Sequence, residues 1–100
     1  MSSIKSRECY CYIVECADGT FYTGWTTDLE KRVATHNAGR GSRYTRLRRP
    51  VKLVYFESLP DRSQAMRREI QIKRLSRLAK LKRISNFKSQ ISNGLPEFEI

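Results

Sequence analysis

Two short runs of strand-forming residues, 9–16 (CYCYIVEC) and 21–26 (FYTGWT), flank the turn Ala17-Asp18-Gly19. Asp-Gly between two such runs marks a β-hairpin, because the turn needs a backbone conformation that glycine adopts without strain. The first quarter of the chain is therefore committed to an antiparallel pair, and the rest must cover it. Thr27 to Glu30 has capping-box spacing, with Thr27 as N-cap and Glu30 three residues on. It predicts a helix to about Ala38, with Leu29 and Val33 facing inward. Gly39-Arg40-Gly41-Ser42 ends that helix and opens a flexible basic loop to Pro50. Residues 51–59 (VKLVYFESL) form a third strand. Asp61 and Gln64 cap a helix over 62–74, and Ser76 caps another over 77–88. The predicted fold class is α+β: a small three-stranded antiparallel sheet flanked by helices, in the order β-β-α-β-α-α. One hundred residues support one core. The expected domain is 1–88, and 89–100 is read as a flexible tail or one that docks through Leu95, Phe98 and Ile100.

Charge is distributed unevenly along this frame. Residues 1–39 carry −1, residues 40–88 carry sixteen basic and three acidic side chains, and the last twelve residues carry −2. A +13 block interspersed with Tyr44, Tyr55 and Phe56 is the footprint of a polyanion binder. Membrane is the other polyanion, but no apolar run or lipidation signal supports it. The start MSSIKSREC lacks the apolar stretch of a secretory leader. Cys9, Cys11 and Cys16 lack zinc-site spacing, and Cys9 and Cys11 are poorly placed for a strand disulfide. Reduced thiols and a cytoplasmic, nucleoid-associated setting are expected.

Within the basic block, Glu69 is the only acid between Asp61 and Glu97. On a helix it falls on or beside the stripe of Ala65, Met66 and Ile72, where a carboxylate is costly unless a cation needs it. That cation is either a neighbouring side chain (Arg62, Lys73 or Arg74) or a divalent metal. Tyr10 and Tyr12 share one strand face, and Tyr22 can meet them across the hairpin. Gly24 leaves space for a close approach. Plain sheet packing is the commoner reason for tyrosines in such strands. Arg32 and His36 stack four apart on the first helix. Arg32 is either a phosphate-binding cation or a solvated partner of Asp28. His36 is the only histidine, and such a residue is commonly structural.

Taken in order, Tyr10-Cys11-Tyr12, Tyr22-Thr23-Gly24, Arg32, His36 and Glu69 resemble the GIY-YIG nuclease domain. The stretches 22–28 and 36–41 are especially similar to its small stand-alone bacterial branch. The resemblance spans about residues 9–84. There are departures: Tyr10 stands at the first glycine of the family name, Cys11 and Thr23 stand at the middle positions, and Trp25 stands where some catalytic relatives have lysine. The resemblance implies a DNA endonuclease acting in repair or on branched DNA. It implies one Mg²⁺ or Mn²⁺ held by Glu69 and transition-state charge stabilised by Arg32. Tyr12 or Tyr22 would accept the proton of the attacking water, and His36 would take that proton on or bind phosphate. DNA would be gripped by Arg40, Arg43, Arg46, Arg48, Arg49, Lys73 and Arg74, with RNA not excluded. The alternative is a basic nucleic-acid-binding module that keeps the fold with weak or no catalysis.

Engagement of about six to ten phosphates predicts that DNA affinity falls about 10³–10⁵-fold between about 50 and 200 mM salt. Fluorescence anisotropy across that range checks it, and a flat profile would remove the polyanion reading.

Overall fold

The computed structural model describes residues 8–90. The elements are β1 (Cys9–Glu15), β2 (Phe21–Thr26), α1 (Leu29–Asn37), α2 (Arg43–Arg46), β3 (Lys52–Leu59), α3 (Arg62–Lys73) and α4 (Arg77–Gln90). The three strands form one antiparallel sheet in the order β2-β1-β3. This is the α+β arrangement the sequence predicts, with one helix more. The short α2 lies in the segment expected to be a flexible loop. Ser42 starts it by accepting a hydrogen bond from the Thr45 amide, so the basic loop has its own local cap.

Strand alternation sorts the core into two layers. Tyr12, Val14 and Cys16 point to one face, where Leu29 and Val33 of α1 pack with Leu53. Cys11 and Ile13 point to the other, where they meet Ile72 of α3 and Ile84 of α4. A register shift between Ile13 and Val14 places Tyr55 opposite Ile13 and Leu53 opposite Val14. Val54 is the extra residue of this bulge, and it joins Tyr55 on the α3–α4 face.

The hairpin turn depends on Gly19, whose φ is +85°. Asp18 closes it by accepting from the Thr20 hydroxyl at 2.6 Å. Asp28 caps α1 in place of Thr27, accepting from the Lys31 amide at 3.1 Å. The helix therefore starts one residue later than the capping-box spacing suggests. At its end, Gly39 (φ +86°) donates to the His36 carbonyl, and Arg40 donates to the Thr35 carbonyl. These two bonds form a Schellman motif, which reverses the chain back over the helix end. The Asn37 amide then pins that end to β3, donating to the Val51 carbonyl at 3.0 Å and accepting from the Val51 amide at 2.7 Å.

Asp61 caps α3, and Ser76 caps α4, as expected. Arg74 is the C-cap of α3 rather than its last helical residue. Helix α4 runs through Gln90, beyond the expected end at 88. The expectation for Leu95, Phe98 and Ile100 lies outside the described residues. Among the described residues no helix is long and apolar enough to cross a membrane.

Arg68 fastens α3 to the sheet. Its guanidinium donates from Nε and Nη2 to the two oxygens of Glu57, each at 2.8 Å. The Tyr55 hydroxyl donates to the same carboxylate. Burial pushes the Glu57 carboxyl up, but the bonds from Arg68 and Tyr55 outweigh it and hold the group below its usual range. A depressed carboxylate contributes stability above its unfolded pKa and loses it as pH falls. Arg68→Ala is expected to cost about 1–3 kcal/mol near neutral pH, because it leaves Glu57 half-buried without its guanidinium partner. Chemical denaturation should show the gap to wild type narrowing as pH drops through the carboxylate range. A gap independent of pH would mean that the pair contributes nothing through its charge.

Candidate active site

Tyr12 lies opposite Gly24 in the β1–β2 register. A Cβ at position 24 would sit 2.5 Å from the Tyr12 hydroxyl oxygen, so glycine is what lets the phenol lie across its neighbour strand. The hydroxyl ends beneath α1, whose residues Arg32 and His36 lie one turn apart. The Tyr12 oxygen lies 2.8 Å from His36 Nε2 and accepts from Arg32 Nε at 3.3 Å. Tyr12 is 1 % exposed and His36 is fully buried.

The other face of the imidazole is closed by the chain leaving α1. His36 Nδ1 lies 2.8 Å from Oγ1 of the buried Thr45 on α2. Gly41 passes so close that a methyl group there would overlap the ring at Nδ1. The Schellman turn at Gly39 and the cap at Ser42 set this approach. The Tyr22 ring packs edge-on against His36 at 5.2 Å between centroids and stacks with Tyr44 at 6.0 Å. The Arg48 guanidinium covers the Tyr44 ring at 3.8 Å and pairs with Asp18 at 3.1 Å. The hairpin turn, α2 and the site are thereby braced together.

These contacts set the protonation states. Burial, then the charge of Arg32, lower the His36 pKa to about 4, so its imidazole is neutral near pH 7. Burial pushes the Tyr12 phenol up to about 12; Arg32 opposes the rise, while Tyr22 and Glu69 add to it. Glu69 also adds to the rise of the Cys11 thiol, behind burial and Glu57. Its carboxylate on α3 therefore acts electrostatically on both layers of the sheet.

Glu69 is half-buried, with its side chain 19 % exposed, and pairs with Lys73 at 3.2 Å one helical turn on. This is one of the ion pairs the sequence allows. An i,i+4 pair of this kind is worth only about 0.3–0.5 kcal/mol, and Lys73 is free to turn to solvent. A divalent ion would therefore meet little competition for the carboxylate. Among the described residues no cluster of three or more acidic, histidine or cysteine ligands exists. The available donor set is one hard carboxylate, which suits a Mg²⁺-like ion that keeps most of its waters and shares substrate oxygens.

The sequence-predicted residues thus divide. Tyr12, Tyr22, Arg32 and His36 are brought into one cluster around Gly24, whereas Glu69 stands apart on α3 and pairs with Lys73. Arg40, Arg43 and Arg46 are exposed and make no side-chain hydrogen bond within the described residues. Arg48 is occupied by Asp18, the Tyr44 carbonyl and the Tyr44 ring. Arg49 donates to the carbonyls of Arg46 and Asn37 and so finishes two helix ends. Arg74 is exposed. A cleft of about 1070 Å³ is bordered by Arg46, Leu47, Arg49 and Lys52, and none of the clustered site residues lines it. Thr45 and Tyr44 are not evident as site residues in the sequence, although the Ser42-x-x-Thr45 cap spacing is. Glu57 carried the signal used for Glu69, being the sole acid in 40–60.

A tyrosine–histidine–arginine cluster thus lies over a three-stranded sheet, with the Glu69 carboxylate on the next layer. The chain belongs to the GIY-YIG catalytic domain family, whose model matches residues 8–88. It is similar to small stand-alone members called UPF0213 proteins. One, SH2523 of Staphylococcus haemolyticus, is 59% identical over 75 residues, covering 75% of this chain and 92% of that protein. Another, VNG_2274C of Halobacterium salinarum, is 58% identical over 71 residues, covering 71% and 92%. The solution NMR structure of UPF0213 protein BH0048 from Bacillus halodurans aligns with a TM-score of 0.51 at 45% identity, covering 78% of this chain and 83% of that one. That of EF2693 from E. faecalis aligns with a TM-score of 0.54 at 39% identity, covering 80% and 85%.

The depressed His36 pKa has a thermodynamic consequence. Between about 6.5 and about 4 the unfolded chain binds a proton that the folded chain refuses, so stability falls as pH drops through that window. Gly41→Ala should force the ring outward, lower stability by about 1–3 kcal/mol and raise the His36 pKa toward 6.5. NMR titration of the single histidine checks both proteins. An unshifted pKa in the variant would show that Gly41 does not hold the ring in place.

Proposed function

We propose that this chain is a metal-dependent endonuclease that hydrolyses phosphodiester bonds in DNA. The observation that carries this reading is the buried connection Arg32–Tyr12–His36, set one layer from the carboxylate of Glu69. A structural core has little use for three linked polar groups that each cost desolvation. A site that must move a proton and stabilise negative charge needs all three.

Glu69 would hold one divalent ion, Mg²⁺ or Mn²⁺, which when bound supplies Lewis-acid stabilisation to the phosphate and the leaving oxygen. Arg32 offers guanidinium protons to charge developing on the phosphate. Water attacks phosphorus as its O–H bond breaks, and the proton goes to a tyrosine oxygen. Tyr12 suits a relay better than a standing phenolate, because its pKa is pushed up to about 12. It can accept that proton while its own passes to the neutral His36 Nε2, 2.8 Å away. The P–O3′ bond breaks, and the departing oxygen takes a proton from solvent. Tyr22 keeps a second role, packing against His36 at the open side of the cluster.

Arg40, Arg43, Arg46, Lys73 and Arg74 would grip the DNA backbone. Arg48 and Arg49 brace that surface through their bonds to Asp18 and the helix-end carbonyls. Contact through the backbone alone would suit action on structured DNA such as branched or damaged duplexes. The buried thiols of Cys11 and Cys16 suit a reducing compartment and therefore the cytoplasm.

A second reading is a binding module without turnover. Two observations favour it: Tyr12 is 1 % exposed, and Glu69 is paired to Lys73. Nicking of plasmid and branched DNA with Mg²⁺ or Mn²⁺ separates the two. Glu69→Gln and Arg32→Ala should each lower the rate by about 10²–10³-fold, with DNA binding by Glu69→Gln kept. Undiminished cleavage in both variants would overturn the site assignment. Salt-sensitive binding with no cleavage by wild type would establish the module instead.

A further inference from the structure

We infer that Thr45 is a positioning residue that fixes the tautomer of His36, presenting the unprotonated Nε2 to Tyr12. The inference deepens the endonuclease reading and rests on it for its catalytic meaning. It starts from the donor inventory of the buried chain. Arg32 can only donate, so the Tyr12 oxygen accepts from its Nε at 3.3 Å. The single proton of the Tyr12 hydroxyl then needs an acceptor. The partner available among the described residues is His36 Nε2 at 2.8 Å. A neutral imidazole that accepts at Nε2 carries its proton on Nδ1.

That Nδ1 proton also requires an acceptor, because His36 is fully buried. Thr45 Oγ1 lies 2.8 Å away and is itself buried. The Thr45 hydroxyl proton continues to Ser42, whose Oγ lies 3.0 Å and whose carbonyl oxygen lies 3.4 Å from Thr45 Oγ1. The direction Arg32→Tyr12→His36→Thr45→Ser42 gives every member a partner. The opposite tautomer would aim two donors at the Tyr12 oxygen and leave the Tyr12 proton without an acceptor. The four-residue helix α2 thus has a definite task. Its Ser42 cap holds Thr45 at the base of the ring, and Gly41 gives the backbone room to pass the imidazole. A histidine held with its basic nitrogen toward Tyr12 can receive the phenol proton without ring rotation. A ring flipped or in the other tautomer cannot.

The chain contains one histidine, so a nitrogen-15 spectrum of uniformly labelled full-length protein reports this ring alone. Long-range ¹H–¹⁵N correlation at neutral pH should show a protonated Nδ1 and a bare Nε2 in wild type. Thr45→Ser keeps the acceptor and should keep that pattern. Thr45→Val removes it and should shift the ring toward the Nε2–H form or a mixture. Cleavage should fall about 10–100-fold in Thr45→Val and stay near wild type in Thr45→Ser. A wild-type ring protonated at Nε2, or a Thr45→Val spectrum equal to wild type, would overturn the inference. If Thr45→Val does not fold, the wild-type and Thr45→Ser spectra still decide it. The expected tautomers without cleavage under any condition would uphold the wiring while removing the nuclease reading. Cleavage with a Thr45-independent tautomer would do the reverse.

Discussion

The hydrogen bond between Tyr12 and His36 joins the middle strand to the first helix, and much of the domain is arranged to make it possible. It needs a long side chain laid flat across a neighbouring strand, which only glycine at 24 allows. It needs an imidazole driven fully into the layer between sheet and helix. It also needs backbone passing tightly over that ring, which only glycine at 41 allows. A buried neutral hydrogen bond contributes about 1 kcal/mol net, but leaving its partners unpaired costs more. The pair therefore works as a constraint on geometry more than as a source of stability. The Schellman turn, the short α2 and the Asn37 bonds to Val51 all serve to return the chain onto His36.

The two layers differ in how their polar groups are held. On the α1 side the polar groups are linked in series, and their pKa shifts leave a neutral histidine beside a protonated phenol. On the α3–α4 side the ion pair between Glu57 and Arg68 is bidentate and closed by Tyr55, which suits a fastening. Glu69, one residue after Arg68, has a weaker intrahelical partner. Two acids exist on this layer, and their surroundings differ in kind. One accepts from Arg68 and Tyr55, and the other pairs with a single, half-exposed lysine. That contrast supports Glu69, rather than Glu57, as the carboxylate available to a metal.

The basic segment 40–50 shows how a charge count can mislead about roles. Five arginines in a row of eleven residues read alike in the sequence. In the fold, Arg48 stacks on Tyr44 and pairs with Asp18, and Arg49 ends two helices. Arg40, Arg43 and Arg46 remain at the surface. A guanidinium satisfies carbonyls and aromatic faces as readily as phosphates, so composition does not separate structural arginines from binding ones.

Local chemistry was legible from the sequence. The Asp18-Gly19 hairpin, the two tyrosine strands, the caps at Asp61 and Ser76 and the glycine stop after α1 follow from short-range rules about φ, alternation and orphan amides. The order of Tyr12, Tyr22, Arg32, His36 and Glu69 carried a resemblance to the GIY-YIG domain, the family whose model matches residues 8–88. The choice between Thr27 and Asp28 as cap was not legible, because both have a suitable oxygen and one residue of register separates them. Neither was the role of Thr45, which lies nine residues from His36 and reaches it only after two turns reverse the chain. Residue types fixed which groups were present. Tertiary packing decided which of them are buried together, and burial is what turns a phenol, an imidazole and a hydroxyl into one directed chain.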